Sequence, residues 1–379
     1  MASSIHNSLQ RHRTARGWTQ AQLGERAGIT RQSYAAIESG RSVPSTEVAL
    51  RLARALGLPV EDVFTLPSED DGELISVRSG FGPMGPGRIR LARVGGETLA
   101  FPLESGGRHS GVLADGVVES GSLGFAGEEG APRESVARPS LRSLRPPRPP
   151  AELVLVGCDP AMGLLATFLG EEHGIEVLWI PTGSRRALET LAAGRAHVAG
   201  IHLPEPEGRG YNRGWVDRLV PFPASRVRFA TWEQCLVLAP GNPLGIQGVR
   251  DLTRPGVRLL NREPGSGSRV LLQLQCEAEG VPVEALAGFQ ETAASSHEAV
   301  GSGVAAGAAD AGVAIRAIAR NRGLGAVTLA WEPFELVLPD HFRDLEAMQI
   351  LLATLRRPVL QRQVEALGGY DTAGMGEPL

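Results

Sequence analysis

From Glu152 to the C-terminus, short apolar runs alternate with amphipathic helical stretches, and no other feature restricts the fold as strongly. ELVLVG and IEVLWI flank a helical pattern over Met162–Glu172, and AHVAGIHL, EQCLVLAPGNP, VRLLNREPGSGSRVLLQL, ADAGVAI and FELVLP follow in order. Brief apolar runs separated by patterns of period 3.6 predict strand–helix–strand units, hence an α/β domain with mostly parallel sheets. Upstream, residues 131–150 end in RSLRPPRPP, whose prolines continue neither a helix nor a central strand, so this stretch reads as a stiff, extended linker. A chain of 379 residues exceeds one compact core, and two or three domains are expected.

Residues 5–66 behave differently. Turn residues break the helical pattern repeatedly, predicting five short helices at Asn7–Arg16, Thr19–Ala27, Thr30–Ser39, Ser45–Leu56 and Val60–Phe64. Thr19 and Thr30 stand where a hydroxyl caps a helix start, Gly28 makes the turn between them, and Gly40 and Pro44-Ser45 separate the next pair. Leu23, Ala27, Ile29, Ile37, Leu52 and Leu56 recur at the spacing of one small core, and Tyr34 reads as a packing or backbone contact. Residues 1–66 hold eight Arg against five Asp and Glu, a charge of +3; with a total of −4, the rest of the chain carries −7. A basic head on an acidic body is the pattern of a nucleic-acid-binding module joined to something else. No lysine occurs, so fixed cationic contacts must come from Arg.

WTQAQLGERAGITRQSYAAIESGRSVPSTEVALRLARALGLPVEDVF resembles the Cro/repressor-type (XRE) helix-turn-helix family over its whole length. In that family the third helix enters the major groove with its first turn on base edges. The resemblance implies that Arg31, Gln32, Ser33 and Ala36 face the bases with Thr30 at the edge, while Gln20, at the start of the second helix, and Arg41 hold phosphates. Arg pairs bidentately with guanine and Gln with adenine. One such module grips few phosphates, so a homodimer on two half-sites of double-stranded operator DNA is expected. The alternative is a small helical bundle for protein contacts, which the Arg-Gln-Ser first turn argues against.

Residues 67–130 are Gly-rich with strand-like runs at Leu74–Arg78, Arg88–Val94 and Glu97–Leu103, a small β-rich segment of unassigned role. Cys158, Cys235 and Cys276 stand far apart, which suggests neither a zinc knuckle nor a redox pair and fits a reducing compartment. MASSIHNSLQRHRTARGWTQ has no signal-peptide core and no 18-residue apolar run follows, so a cytoplasmic protein with no membrane partner is expected.

In the order of its elements, the C-terminal part resembles the type 2 periplasmic-binding fold. More narrowly, it resembles the periplasmic molybdate-binding-like domains that bacteria fuse to helix-turn-helix heads. TGSRRAL (182–188), AGRAHVAGIHL (193–203), GYN (210–212), LAPGNPLGI (238–246), NREPGSGSRVLL (261–272), SSHEAV (295–300), ADAGVAI (309–315) and GGYDTAGMG (368–376) carry the resemblance. It implies lobe I over about 151–230 and 338–379 and lobe II over about 236–330, closing on a ligand about strand crossovers near Ala230–Val237 and Ala330–Val337. The expected ligand contacts are Asp159 in Cys158-Asp159-Pro160; Thr182, Gly183 and Ser184; Ser266, Gly267, Ser268 and Arg269; and Ser296 with His297, which aligns with a Thr-His pair. Hydroxyls and N–H groups at helix starts hold an anion without lysine, so an oxyanion such as molybdate or tungstate is the leading ligand.

The chain departs from that pattern in two places. Cys158-Asp159 replaces the usual Ser-Asp, and Trp232 and Cys235 replace Arg and Gly around Glu233-Gln234. Asp159 beside a bare anion is repulsive, which leaves an amino acid, an organic anion or a nucleoside-like molecule as the alternative. Ser266, His297 and Asp310 are the obvious triad, yet no G-x-S-x-G elbow and no metal-ligand spacing occurs. A non-enzyme with no cofactor and no metal is therefore expected. The whole reads as a multidomain chain with an all-α helix-turn-helix head (1–66), a small β-rich middle segment (67–130), a linker (131–150) and a two-lobed α/β sensor (151–379). That is the architecture of a ligand-responsive one-component transcriptional regulator.

Overall fold

The computed structural model describes residues 6–65, 77–81, 84–103, 109, 112–120, 140–144, 150–205, 210–291 and 294–379. They fall into two compact units, Met1–Ser76 and Val77–Leu379.

In the first unit the helices are α1 (Leu9–Ala15), α2 (Gln20–Arg26), α3 (Arg31–Glu38), α4 (Thr46–Leu56) and α5 (Val60–Val63). Each lies inside the stretch that the sequence pattern assigns to it. The caps are those the side chains allow. The Thr19 hydroxyl accepts from Gln22 N while Gln22 reaches back to Thr19 N, and Thr30 and Ser45 accept from Ser33 N and Val48 N. Leu9, Leu23, Tyr34, Leu52, Leu56 and Val63 form the buried core. A short antiparallel pair, β1 (His6–Asn7) with β2 (Phe64–Thr65), ties the two ends together.

The second unit begins with a five-stranded sheet: β3 (Arg78–Ser79), β4 (Gly87–Val94), β5 (Glu97–Pro102), β6 (Gly116–Ser120) and β7 (Ser140–Ser143), in the order β3-β5-β4-β6-β7. β4 and β5 fall where alternation places them. β7 lies in the stretch that reads as linker, and its pairing with β6 corrects that reading locally, because strand pairing there precedes the proline run. Of the run Leu74–Arg78, only Val77 and Arg78 lie among the described residues. This sheet is no loose spacer. Buried Arg90 on β4 pairs with Asp115 at 2.7 Å and with Glu176 of the α/β domain at 2.7 Å. Ala151 N donates to Leu91 O at 2.9 Å, and His109 Nε2 lies 3.1 Å from Trp179 O.

The main sheet has eight strands: β8 (Leu153–Val156), β9 (Val177–Ile180), β10 (Val198–Ile201), β11 (Ala224–Leu238), β12 (Leu259–Leu260), β13 (Ala311–Ile315), β14 (Gly325–Pro339) and β15 (Tyr370–Asp371). Their order is β12-β13-β11-β14-β10-β8-β9, with β15 beside β11. The sheet is mixed, not mostly parallel as expected. β8–β9, β8–β10 and β12–β13 are parallel, whereas every pairing of β11 and β14 is antiparallel. The reason is connectivity: β11 and β14 are 15-residue strands that run in opposite directions and serve both halves of the sheet. The N-terminal half of β11 and the C-terminal end of β14 join β10, β8 and β9 in lobe I; their other halves join β13 and β12 in lobe II.

Lobe I carries α6 (Pro160–His173), α7 (Ser184–Ala192), α8 (Arg213–Leu219), α12 (Glu346–Leu355) and α13 (Pro358–Ala366). Lobe II carries α9 (Gly267–Ala278), α10 (His297–Ala305) and α11 (Arg316–Asn321). β8, β10 and β13 are buried along their length, as strands covered on both faces must be. No helix among the described residues is long and apolar enough to cross a membrane.

Glycine holds lobe II together at one tight point. Gly288 has φ +96°, and a Cβ there would stand 2.1 Å from the carbonyl oxygen of Leu259 on β12. Gly288→Ala should therefore lower stability by about 3 kcal/mol or more in chemical denaturation, combining strain with overlap. Gly245→Ala, also at positive φ but with nothing within 4 Å, should cost only about 1 kcal/mol.

Candidate functional site

In the head, α3 presents Arg31, Gln32 and Ser33 to solvent at its first turn, with exposed Thr30 as its N-cap and half-buried Ala36 one turn on. Arg41 is exposed, its Nε 3.0 Å from Ser39 Oγ. Gln20 is half-buried, and its amide donates to Glu38 Oε1 at 2.7 Å. Glu38 is the residue that sequence reasoning missed. It also receives Arg13 Nε at 2.7 Å and the Tyr34 hydroxyl at 2.6 Å, so one carboxylate locks α1, α2 and α3. Burial pushes the Glu38 carboxyl up, but the hydrogen bonds from Arg13, Tyr34 and Gln20 outweigh it and hold the group below its ordinary value. The sequence signal was there in outline: an acidic residue in the last turn of a helix, unfavourable against the dipole, implies a partner elsewhere.

In the α/β unit, the strand ends of both lobes converge on His202, which follows β10 and is buried. Its backbone N donates to Ser184 Oγ at 3.2 Å. Its Nδ1 stands 3.0 Å from Glu332 Oε2 and 3.4 Å from Gln234 Nε2, and Ser268 Oγ donates to Gln234 Oε1 at 3.4 Å. This chain of contacts crosses from lobe I, through the shared strands, to lobe II. The lobes touch here: a Cβ on Gly267 would lie 2.4 Å from His202 O. Trp232 on β11 packs edge-on against both His202 (4.7 Å between centroids) and His297 (5.3 Å). Cys158, His202 and His297 each offer a ligand atom, all three atoms within 4.8 Å of one another and all three residues buried.

Burial opposes a charge on His202, yet Cys158 and Glu332 beside it push its pKa up to about 10. Tyr211, whose hydroxyl donates to Glu332 Oε1 at 3.3 Å, is pushed up by burial and then by that carboxylate.

The expected ligand residues separate into groups. Ser184, Gly267, Ser268 and His297 meet around His202. Asp159 is buried next to Cys158; its Oδ1 caps α6 through Ala161 N at 2.8 Å and accepts the Tyr370 hydroxyl at 2.6 Å. Ser266 and Ser296 cap α9 and α10, accepting from Arg269 N and Ala299 N. Thr182 is buried, and Gly183 is the N-cap of α7, where a Cβ would lie 3.1 Å from Glu263 Oε1. Arg269 does not join the cluster. Its guanidinium donates to Arg262 O at 3.2 Å and Gln290 Oε1 at 2.9 Å and lies 4.8 Å from the Phe289 ring, all in lobe II. A half-buried Arg takes the acceptors and the aromatic face already within reach. His202, Gln234 and Glu332 were not anticipated. Their signal is positional, since strand ends and crossovers are where open α/β sheets bind ligands.

The PBP superfamily domain matches residues 166–356, and a helix-turn-helix domain matches residues 9–63. The chain belongs to the PBP superfamily and carries an XRE-type helix-turn-helix head. The head is 44% identical over 66 residues to the uncharacterized HTH-type transcriptional regulator YgzD of Bacillus subtilis (strain 168), spanning 17% of this chain and all of that one. The PBP part is similar to the uncharacterized protein YvgK of the same organism, 27% identical over 226 residues, 59% of this chain and 72% of the relative. Among solved structures, the periplasmic molybdate-binding protein of Azotobacter vinelandii is 18% identical, covers 58% of this chain and 99% of its own, and has a TM-score of 0.44. The chain thus joins a helix-turn-helix head to a PBP superfamily domain.

The Glu38 cluster has a pH signature. A depressed carboxylate pKa contributes stability above the ordinary carboxylate range that is lost as pH falls through it. Heating the head alone (residues 1–66) should show its melting temperature falling as the pH drops through and below the ordinary carboxylate range. Glu38→Gln should lower stability by about 2 kcal/mol at pH 7 and flatten that acid limb. An unchanged slope would mean that other carboxylates set it.

Proposed function

We propose that the chain is a one-component transcription regulator acting in the cytoplasm, binding double-stranded operator DNA as a homodimer and holding a small solute between its two lobes. The observation that carries this reading is the buried polar chain Ser184–His202–Gln234–Ser268, which runs from one lobe to the other. A solute seated there touches both lobes only when they are together, and such differential contact is what shifts a two-state population. Binding, not catalysis, is the reading for Ser266 and Asp310: the first caps α9, and the second pairs with Arg258 at 3.0 Å.

On DNA, Arg31, Gln32, Ser33 and Ala36 read bases, with Thr30 at the edge and Gln20 and Arg41 on phosphate. Arg31→Ala should weaken cognate binding by about 1–3 kcal/mol and relax preference at one position per half-site. Gln20→Ala should weaken cognate and random DNA alike. Equal loss on both for Arg31→Ala would reassign Arg31 to phosphate.

Two solute classes compete. Ser184 and Ser268 hydroxyls and the helix starts beside them suit an oxyanion such as molybdate or tungstate. Against a bare dianion stand the buried carboxylates Asp159 and Glu332, and Arg269 is engaged elsewhere. A solute bearing a cationic or donor group is favoured by those carboxylates. A thermal-shift screen of oxyanions, amino acids and nucleosides should decide: a ligand at one hundred times its Kd adds about 2.7 kcal/mol. Ser184→Ala and Ser268→Ala should abolish the shift. If neither these solutes nor a divalent transition-metal cation moves the melting temperature, the sensor reading fails.

A further inference from the structure

We propose that Cys158, His202 and His297 form a binding site for one thiophilic transition-metal cation, with zinc as the reference ion, that ties lobe I to lobe II. The inference deepens the reading of the cleft as the sensing site by naming the class of its ligand.

Four observations support it. First, the three side chains offer one sulfur and two imidazole nitrogens, a donor set that borderline and soft cations prefer over magnesium or calcium. Their ligand atoms already lie within 4.8 Å of one another. Bonds of about 2.3 Å to sulfur and about 2.0 Å to nitrogen bring such atoms to within about 4 Å, which asks only a small approach of side chains.

Second, His202 is held as metal-bound histidines are held. Glu332 Oε2 sits 3.0 Å from its Nδ1, fixing the ring and leaving the other nitrogen for an ion. Tyr211 in turn braces Glu332 through its other oxygen at 3.3 Å. Neither contact is needed to pack an apolar core, and both bury polar groups that water would otherwise serve.

Third, the charge balance is wrong for a bare anion and right for a cation. Glu332 is buried against His202, Asp159 is buried next to Cys158, and a bound cation turns the Cys158 thiol into a thiolate. The Glu332 carboxylate and the Cys158 thiolate together match the charge of a dication, with both histidines neutral.

Fourth, the ligands come from different lobes. Cys158 precedes α6 and His202 follows β10 in lobe I, whereas His297 opens α10 in lobe II. An ion gathers all three only with the lobes in contact, so occupancy favours that form. Trp232 stands edge-on to both imidazoles, making one wall dry and rigid. Three protein ligands leave a fourth position for water or a small solute, as in open metal sites.

The test uses the full chain, stripped of metal with a chelator, kept reduced, and titrated with cobalt(II). One cobalt per chain should bind with a thiolate-to-metal charge-transfer band, and an equivalent of zinc should bleach it. Cys158→Ser should remove the band, whereas Cys276→Ala, in the separate lobe II core, should keep it. His202→Gln and His297→Gln should weaken binding at least tenfold, and Glu332→Gln by about ten- to a hundredfold.

X-ray absorption on the zinc-loaded wild type should give one sulfur and two imidazole nitrogens, a readout that needs no variant to fold. A shell of oxygens alone, a band that survives Cys158→Ser, or uptake no greater than in a Cys158→Ser/His297→Gln double variant would overturn the proposal. Metal uptake is measured without DNA, so a regulator that binds zinc but does not answer to it on DNA sinks only the sensing reading. A thermal shift with another solute and no metal uptake sinks only this one.

Discussion

Two fifteen-residue strands, β11 and β14, belong to both lobes at once, and the geometry of the cleft follows from that constraint. Their pairing runs from Ala224 with Pro339 to Leu238 with Gly325, with irregularities at Arg228/Ala230 and Gln234/Cys235, where the sheet passes from one lobe to the other. Trp232, Gln234 and Glu332 lie where the lobes meet, each against His202. A buried carboxylate such as Glu332 is tolerable only when paired, and His202 and Tyr211 supply the pairing. Glu233, one residue on, is held below its usual range chiefly by Arg316, with Thr328 as second donor. The crossover thus stores its polar groups in fixed pairs, so opening the lobes means separating His202 from Gln234 and Ser268 and not merely bending a strand.

The head shows the same economy on a smaller scale. Its core is small, and the helices that present α3 to solvent are registered by one carboxylate, Glu38. Tyr34 falls in the reading helix by position but is fully buried and spends its hydroxyl on Glu38. The exposed first turn, Arg31-Gln32-Ser33, is left with its donors facing water, apart from the Ser33–Thr30 contact at 2.9 Å. Base readers need that: a side chain already hydrogen-bonded within its own helix has less to offer a base edge. Gln20 is the intermediate case, bonded to Glu38 yet sitting at the start of α2, where phosphate is favoured.

Local features were legible in the sequence; long-range ones were not. The five head helices, their threonine caps and the strands β4, β5, β8, β9 and β10 follow from periodicity and capping chemistry, which act over a few residues. The antiparallel course of β14 did not, because periodicity gives a strand but not its direction. Five strands near the middle of the chain were reduced to three, since β6 and β7 are short and one lies beside the prolines. In the cleft, sequence reasoning reached Ser184, Ser268 and His297 through helix starts, but missed His202, Gln234 and Glu332. Glu332 and His202 are separated by 130 residues, and nothing local announces that a carboxylate in one strand will meet an imidazole after another. Arg269 was placed in the site because it follows a helix start; whether its guanidinium turns to the cleft or to Phe289 depends on a ring that the local pattern cannot see.

Helix starts are a poor guide to the sign of a ligand, and this cleft shows why. Ser266 and Ser296 each accept an N–H of their own helix, and a hydroxyl so used still has its proton to donate outward. Asp159 does the same capping work on α6 but has no proton left, so an identical structural role brings the opposite preference for a neighbour. In the sequence the serines read as hydroxyls at helix starts that suit an anion, while Asp159 already reads as repulsive to one. Once the charged groups are placed, the hydroxyls become neutral on the question, and Asp159, Glu332, Cys158 and the two histidines decide it. A field set by buried acids and a thiol favours positive charge, and dipoles worth about 0.3–1 kcal/mol each do not reverse that in a water-poor site.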